Sequence, residues 1–325
     1  MDFNKPRVSL WYYVVPQTSY RNDGACLFLS YNFRKILDGK DAATDRSAMH
    51  AMDNVVHLQP NMPLDAMGKF DLNILVDHGE DGLNVPLDFE LPHPSAYWIA
   101  DSHISGESYQ YRLNRAKQFD FVFASHSPSI EKFRADGINV QYMPWAAEHT
   151  CYKPYPIIEK WDWAFIGYPN NPDRIELLDR FVKEFGLGET GYMGWRMPHV
   201  KGFNVLDDAA KKLSQARICV NEALNTDLNM RVMEILACKR FLLTEEVPDL
   251  LKHFADRVHL RTFKTIDEAV EIARYYLAHP DERNAIAEAG YKEFLDKHTY
   301  MHRAKEILKV CLGYEAEEKE GVLVA

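Results

Sequence analysis

The strongest constraint in this chain is an alternation. Short apolar runs rich in β-branched and aromatic residues take turns with segments of helical period. Val8–Val15 reads as the first strand, and after a turn at Asn22-Asp23-Gly24 a helix is predicted over Ala25–Leu37. Leu72–Val76, Ala96–Ala100, Phe121–Ala124 and Val140–Tyr142 read as further strands, with helices over Tyr109–Lys117 and Ser129–Ala135. After the proline-bearing stretch Tyr152–Ile158 the alternation restarts. Strands are predicted at Ala164–Gly167, Tyr192–Trp195, Ile218–Asn221 and Phe241–Thr244, and helices at Arg174–Phe185, Ala209–Ala216 and Met230–Ala237. Helices over Ile266–Ala278 and Asp281–Asp296 break at His279-Pro280, because proline cannot continue a helix, and a last helix covers Tyr300–Leu312. Strands that alternate with helices demand a parallel sheet covered on both faces. The 325 residues also exceed what one hydrophobic core usually supports, about 250–300 residues. The expectation is two Rossmann-like α/β domains, divided near residue 155.

Bulk properties narrow the function. The formal net charge of −10 argues against broad binding to a phosphate backbone, which draws on clustered lysine and arginine. No apolar run reaches the roughly 20 residues needed to span a bilayer, and Met1–Pro6 carries no signal-peptide core. The five cysteines are scattered without Cys-x-x-Cys spacing, as in a reducing compartment, so a cytoplasmic location is expected.

Several motifs fail on context. Gly186-Leu187-Gly188-Glu189-Thr190-Gly191 matches a dinucleotide fingerprint, but it follows a helix and precedes a strand. A pyrophosphate site needs the reverse order, so these glycines are expected to cap a helix and form a loop. Asp77-His78 and Asp101-Ser102-His103 are metal-ligand fragments without a third ligand fixed by spacing. No Asp-x-Asp and no G-x-x-x-x-G-K-[ST] loop occurs, so no metal site and no P-loop are expected.

Ile218–Thr244 is the most informative stretch: a strand, a polar loop at Asn225–Asn229, a helix and a second strand. Free backbone N–H groups at a helix start form an anion site together with the helix dipole. Asn229 and Met230 lie at that start, and Arg231 in the first turn adds a cation suited to phosphate oxygens. Glu234, near one turn further on, could accept hydrogen bonds from ribose hydroxyls. From the residues alone, an ordinary N-cap with a surface Arg231–Glu234 ion pair stands equally open.

The run Asn229–Cys238 resembles the donor-site helix of CgeB-type (spore maturation protein-like) glycosyltransferases, relatives of glycosyltransferase family four. Downstream, Phe241–Thr244, Val247–Leu250, Tyr275–Pro280 with Glu282-Arg283, Ala289–Tyr291 and His298–Tyr300 with His302-Arg303 are similar to that family. Upstream, Tyr97–His103, Met143–Ala147 and Asp162–Gly167 are also similar. The matches span most of residues 95–305.

The resemblance implies a GT-B fold, with two Rossmann-like domains facing a cleft and the C-terminal helix crossing back to the N-domain. Residues 1–155 would form the acceptor-side domain, 156–297 the donor domain and 298–325 the returning helix and tail. It implies a nucleoside-diphosphate sugar, a UDP-sugar first among them, transferred to an acceptor hydroxyl with retention and without a metal or other cofactor. The acceptor is left open among glycan, small molecule, protein and modified DNA base. Glu234 would hold the ribose. The first carboxylate of the relatives' Glu-x7-Glu motif would fall at Thr226, where this sequence has none.

Arg174 is expected to make a second phosphate contact after the strand end at Gly167. Gly24 would let the backbone approach the donor, or be an ordinary turn residue. Asp101 and His103 fall at a sheet's carboxyl edge, where His103, oriented by Asp101, could act as general base or simply bond within its loop. The rivals are a nucleotide-sugar epimerase, a phage-type DNA-modifying transferase and a non-catalytic carbohydrate-binding relative.

Overall fold

The computed structural model describes residues 4–11, 24–40, 54–58, 69–77, 90–99, 102, 106–167, 171–190, 205–223 and 226–316. The chain divides into two compact units, Met1–Met143 with Tyr300–Ala325, and Pro144–Thr299. This division falls ahead of residue 155. Residues just beyond Met143 belong with the second unit, where the Ala147 N–H donates to the His298 carbonyl at 3.3 Å.

The first unit runs β1 (Val8–Trp11), α1 (Gly24–Leu37), β2 (Val55–Leu58), β3 (Leu72–Asp77), β4 (Ser95–Ile99), α2 (Glu107–Ala116), β5 (Phe121–Ala124), α3 (Ser127–Ala135) and β6 (Val140–Tyr142). Its six strands form one sheet in the order β2-β1-β3-β4-β5-β6, with every pairing parallel. Every residue of β3 and β4 is buried, the polar Asn73, Asp77 and Ser95 included, so neither strand has a solvent-facing side.

The second unit runs β7 (Trp161–Phe165), α4 (Pro172–Phe185), β8 (Glu189–Thr190), α5 (Val205–Ser214), β9 (Ala216–Asn221), α6 (Met230–Ala237), β10 (Phe241–Glu245), α7 (Leu250–His253), β11 (Arg261–Phe263), α8 (Ile266–Ala278) and α9 (Pro280–Lys297). Its parallel sheet has the order β11-β10-β9-β7-β8. The last helix, α10 (Tyr300–Leu312), returns to the first unit as expected. There the Tyr300 ring lies 5.2 Å from Phe28 of α1 and 6.4 Å from Trp98 of β4.

Local chemistry sets the boundaries. At α4, Asn171 accepts from the Arg174 N–H at 2.7 Å and proline takes the first helical position. The same helix stops at Gly186, whose φ of 76° suits a residue without Cβ. Gly188 lies against Trp163, where an added Cβ would come within 2.4 Å of the indole. Gly186 is therefore a helix cap, as its context predicts, and Gly188 makes a packing contact; Gly191 lies outside the described residues. The strand expected at Tyr192–Trp195 lies outside the described residues.

Buried charge is dominated by arginine. Arg34, Arg112, Arg115, Arg174, Arg261, Arg283 and Arg303 are all buried, against the carboxylates Asp77, Glu148, Glu222 and Asp249, among the described residues. Asp77, at the end of β3, accepts from Arg112 Nε at 2.8 Å, from Arg112 Nη2 at 3.1 Å and from the Tyr97 hydroxyl at 2.5 Å. It is committed to this network. No group of three or more His, Cys, Asp or Glu able to hold a metal occurs among the described residues, and no helix among them is long and apolar enough to cross a membrane.

In α9, Gly290 lets the helix backbone approach its neighbours. A Cβ there would meet the His259 carbonyl oxygen at 2.2 Å and Leu236 Cδ2 of α6 at 2.8 Å. Replacing a mid-helix glycine by alanine ordinarily stabilises by about 1 kcal/mol. Here overpacking against a backbone carbonyl, at about 1–3 kcal/mol, outweighs that gain. Gly290→Ala should lower the urea midpoint with little change in slope. A raised midpoint would show that the contact relaxes.

Candidate functional site

In the second unit the chain leaves β7 to one side for β8 and returns on the other side as β9. The carboxyl ends of β7 and β9 therefore flank a topological switch point, where open α/β sheets take ligands. Phe165 and Gly167 mark one side of it, Asn221 and Glu222 the other, and the loop to α6 follows.

Arg231 occupies this point. Its Nη1 donates to Asn221 Oδ1 at 3.1 Å, and its Cζ lies 5.3 Å from the centre of the Phe165 ring. The guanidinium rests against Gly167, where an added Cβ would fall 2.6 Å from Cζ. Glycine at 167 leaves room for this approach: a side chain there would displace the flexible end of Arg231. The arginine is half-buried, with its Nε enclosed.

Asn229 precedes α6 in an extended conformation, but its side chain does not cap the helix. Its Oδ1 and Nδ2 atoms are both buried without a hydrogen-bond partner among the described residues, in contrast with the satisfied Asn171. Buried polar atoms are rarely left unpaired, so this pair at a helix start is open to a water or to another molecule. Met230 follows as the first helical residue, half-buried. Thr226, in the loop before them, is exposed with φ of 57°, and Asp227 buries an Oδ1 without a hydrogen-bond partner.

Arg174 takes a different place from the expected one. It is 2% exposed, and its Nε donates to Glu222 Oε2 at 2.8 Å while Nη2 reaches the Glu222 carbonyl at 2.6 Å. Its guanidinium sits 5.7 Å from the same Phe165 ring. The expected phosphate contact is thereby corrected: Arg174 pairs with a buried carboxylate at the end of β9 and fixes that strand end. Burial raises the Glu222 pKa, with Arg174 opposing the rise. Burial also raises Glu245, at the end of β10, with Asp173 and Asp227 adding to the rise; the Ala223 N–H, donating to Glu245 Oε2 at 3.2 Å, opposes it.

Glu234 is half-buried one turn along α6, and burial, then the Glu234 carboxylate, raise the pKa of the buried Tyr152. The structure therefore brings Gly167, Arg231, Asn229 and Met230 together at the edge of the second sheet, with Glu234 behind them. Gly24 belongs to the first unit, where it opens α1 and is not part of a loop. Asp101 and His103 lie outside the described residues. Ser102 between them is buried, its Oγ accepting from the His126 N–H at 3.1 Å.

Sequence reasoning missed Glu222, Glu245, Tyr152 and Phe165. Only Asn221-Glu222, a polar pair directly at a strand end before a polar loop, offered a signal. Removing Arg174 alone would strand Glu222 as a buried, unpaired charge, at a cost of about 3–5 kcal/mol. Arg174→Met should destabilise on that scale in urea, and the double variant with Glu222→Gln should recover much of the loss. A stable single variant with weakened phosphate binding would instead restore the phosphate role.

Comparison with known proteins agrees with this geometry. Residues 177–309 match a family model described as glycosyl transferase-like. No curated protein matches the chain by sequence. Among solved structures, Alr3699/HepE of Anabaena, in complex with UDP and glucose, superposes with a TM-score of 0.66 at 11% identity, covering 95% of this chain and all of the other (100%). Sucrose-phosphate synthase of Thermosynechococcus elongatus gives 0.58 at 10%, covering 94% and 98%. The T4 phage BGT bound to its UDP-glucose substrate gives 0.57 at 11%, covering 95% and 100%. At such identities the likeness establishes architecture: the chain has the GT-B glycosyltransferase fold, with the glycosyl transferase-like match running through its second unit and into α10.

Proposed function

We propose that this protein transfers a sugar from a nucleoside-diphosphate donor to an acceptor hydroxyl, with the donor held at the carboxyl edge of the second sheet. The observation that carries the proposal is Arg231, a half-buried cation held against Gly167, Asn221 and Phe165 at a switch point, beside the unpaired amide of Asn229. The structures of HepE and of the T4 phage enzyme contain UDP or UDP-glucose, which favours a UDP-sugar here. The family match and these neighbours favour transfer over epimerisation.

In this proposal the C1–O bond to the diphosphate breaks as the acceptor oxygen bonds C1, with retention of anomeric configuration. Charge developing on the departing diphosphate is met by Arg231 and the first N–H groups of α6. His103, oriented by Asp101, takes the acceptor proton. Arg174 contributes indirectly, by fixing Glu222. Glu234 accepts from the ribose, and Gly24 admits the donor near the start of α1. CgeB-type specificity rests on the motifs between residues 95 and 305.

Calorimetric titration tests the donor site. Glu234→Ala should weaken nucleoside and nucleoside diphosphate alike, by charge-assisted hydrogen bonds worth about 1.5–3 kcal/mol, or roughly ten- to a hundredfold. Arg231→Ala should chiefly weaken the diphosphate and spare the nucleoside. Folded variants with unchanged affinity for both ligands would refute the site.

The chain contains no Asp-x-Asp to hold a divalent ion on the diphosphate. Transfer should therefore survive saturating chelator. A loss restored specifically by manganese or magnesium would overturn metal independence.

A further inference from the structure

Two polar side chains sit inside the second sheet among apolar neighbours. Asn221, at the end of β9, is 1% exposed, and Thr244 of β10 is 2% exposed. They are register partners in the parallel β9–β10 pairing, so their side chains stand side by side on one face of the sheet. The flanking Val220, Leu242 and Leu243 are apolar and buried. A polar group in such surroundings is costly unless its hydrogen bonds are made. Here they are made, and all in one direction. The Thr244 hydroxyl donates to the Glu245 carbonyl at 3.3 Å, while its Oγ1 accepts from Asn221 Nδ2 at 3.0 Å. Asn221 Oδ1 in turn accepts from Arg231 Nη1 at 3.1 Å.

We propose that Thr244 is a positioning residue for the donor diphosphate, acting through Asn221 to fix where the Arg231 guanidinium sits. This rests on the proposed contact between Arg231 and the diphosphate. Arginine carries only donors, so it can meet the Asn221 amide only at Oδ1. An amide turned end for end would set N–H against N–H. Thr244 decides which way it lies. Its single hydroxyl proton goes to the Glu245 carbonyl, so a lone pair faces Asn221 and takes the amide N–H. The carbonyl end of the amide is thereby turned toward the cation. Phe165 and Gly167 give the guanidinium a surface to rest on, and Asn221 adds a directional anchor. An arginine held before the ligand arrives avoids an ordering cost otherwise met on binding. Thr244 exerts this control from β10, two strands away from β7 in the sheet.

Calorimetric titration with UDP and with uridine, which lacks the phosphates, provides the test. The wild-type protein should prefer UDP. Thr244→Val keeps the branched shape of the side chain and removes its hydroxyl. It should shrink that preference about three- to tenfold, the scale of one hydrogen bond, and leave uridine affinity unchanged. Thr244→Ser retains the hydroxyl and should keep the wild-type preference. Equal weakening of both ligands by Thr244→Val, no change in either, or a serine variant as impaired as valine would overturn the positioning role. A residue that merely supports the sheet affects nucleoside and nucleoside diphosphate alike.

Arg231→Ala separates this failure from failure of the donor site. If it leaves the preference for UDP intact, the diphosphate contact fails and the proposal with it. If it abolishes the preference while Thr244→Val does not, the positioning role alone fails. Thr244→Val strands a buried amide N–H, and Asn221→Ala removes that amide, so the double variant should fold even where the threonine variant does not. Asn221→Ala by itself should shrink the preference for UDP, and an unchanged preference would overturn the proposal. Adding Thr244→Val to it should alter neither affinity further. A further loss for UDP alone would contradict action through Asn221, because effects that run through one residue do not add.

Discussion

The guanidinium of Arg231 lying against the bare α-carbon of Gly167 is the contact on which the candidate site depends. It forms only because β7 and β9 are adjacent strands that the chain reaches from opposite directions, so that a loop diverges on each side and leaves room at their ends. Phe165 supplies a ring face and Asn221 an acceptor, both from those same strands. The helix that carries Arg231 is itself located from behind, where Leu236 meets the glycine face of α9. Backbone proximity at two glycines thus determines where a single positive charge sits.

One aromatic ring serves two arginines with opposite fates. Arg231 and Arg174 both lie within 6 Å of the Phe165 centroid, yet the first is only half-buried. The second is enclosed with Glu222, a pair whose removal as a unit costs far less than breaking it. Burying a neutral pair beside a half-buried cation rigidifies the strand end without adding net charge that would compete for a ligand.

Much of the architecture was legible because its signals are local. Buried strand cores such as residues 74–76 and 96–99 read as apolar runs, and His279-Pro280 stops one helix and starts the next. The short strands Val55–Leu58 and Arg261–Phe263 escaped, the latter because Arg261 and Thr262 are polar residues buried by their partners and not by their own character. At the edge of the second sheet, the loop and helix start that carry Asn229, Arg231 and Glu234 were readable since they are contiguous in sequence. Arg174 was misread because spacing locates a residue on an element but says nothing of what encloses it 48 positions away.

The preference for arginine in the interior reaches beyond packing. Seven buried arginines against four buried carboxylates, among the described residues, draw positive charge inward in a chain whose formal net charge is −10. Long-range potentials act on encounter rates before any contact is made. A polyanionic acceptor such as duplex DNA therefore approaches against an opposing field, and added salt, by screening it, speeds that approach. An uncharged acceptor diffuses in indifferent to ionic strength.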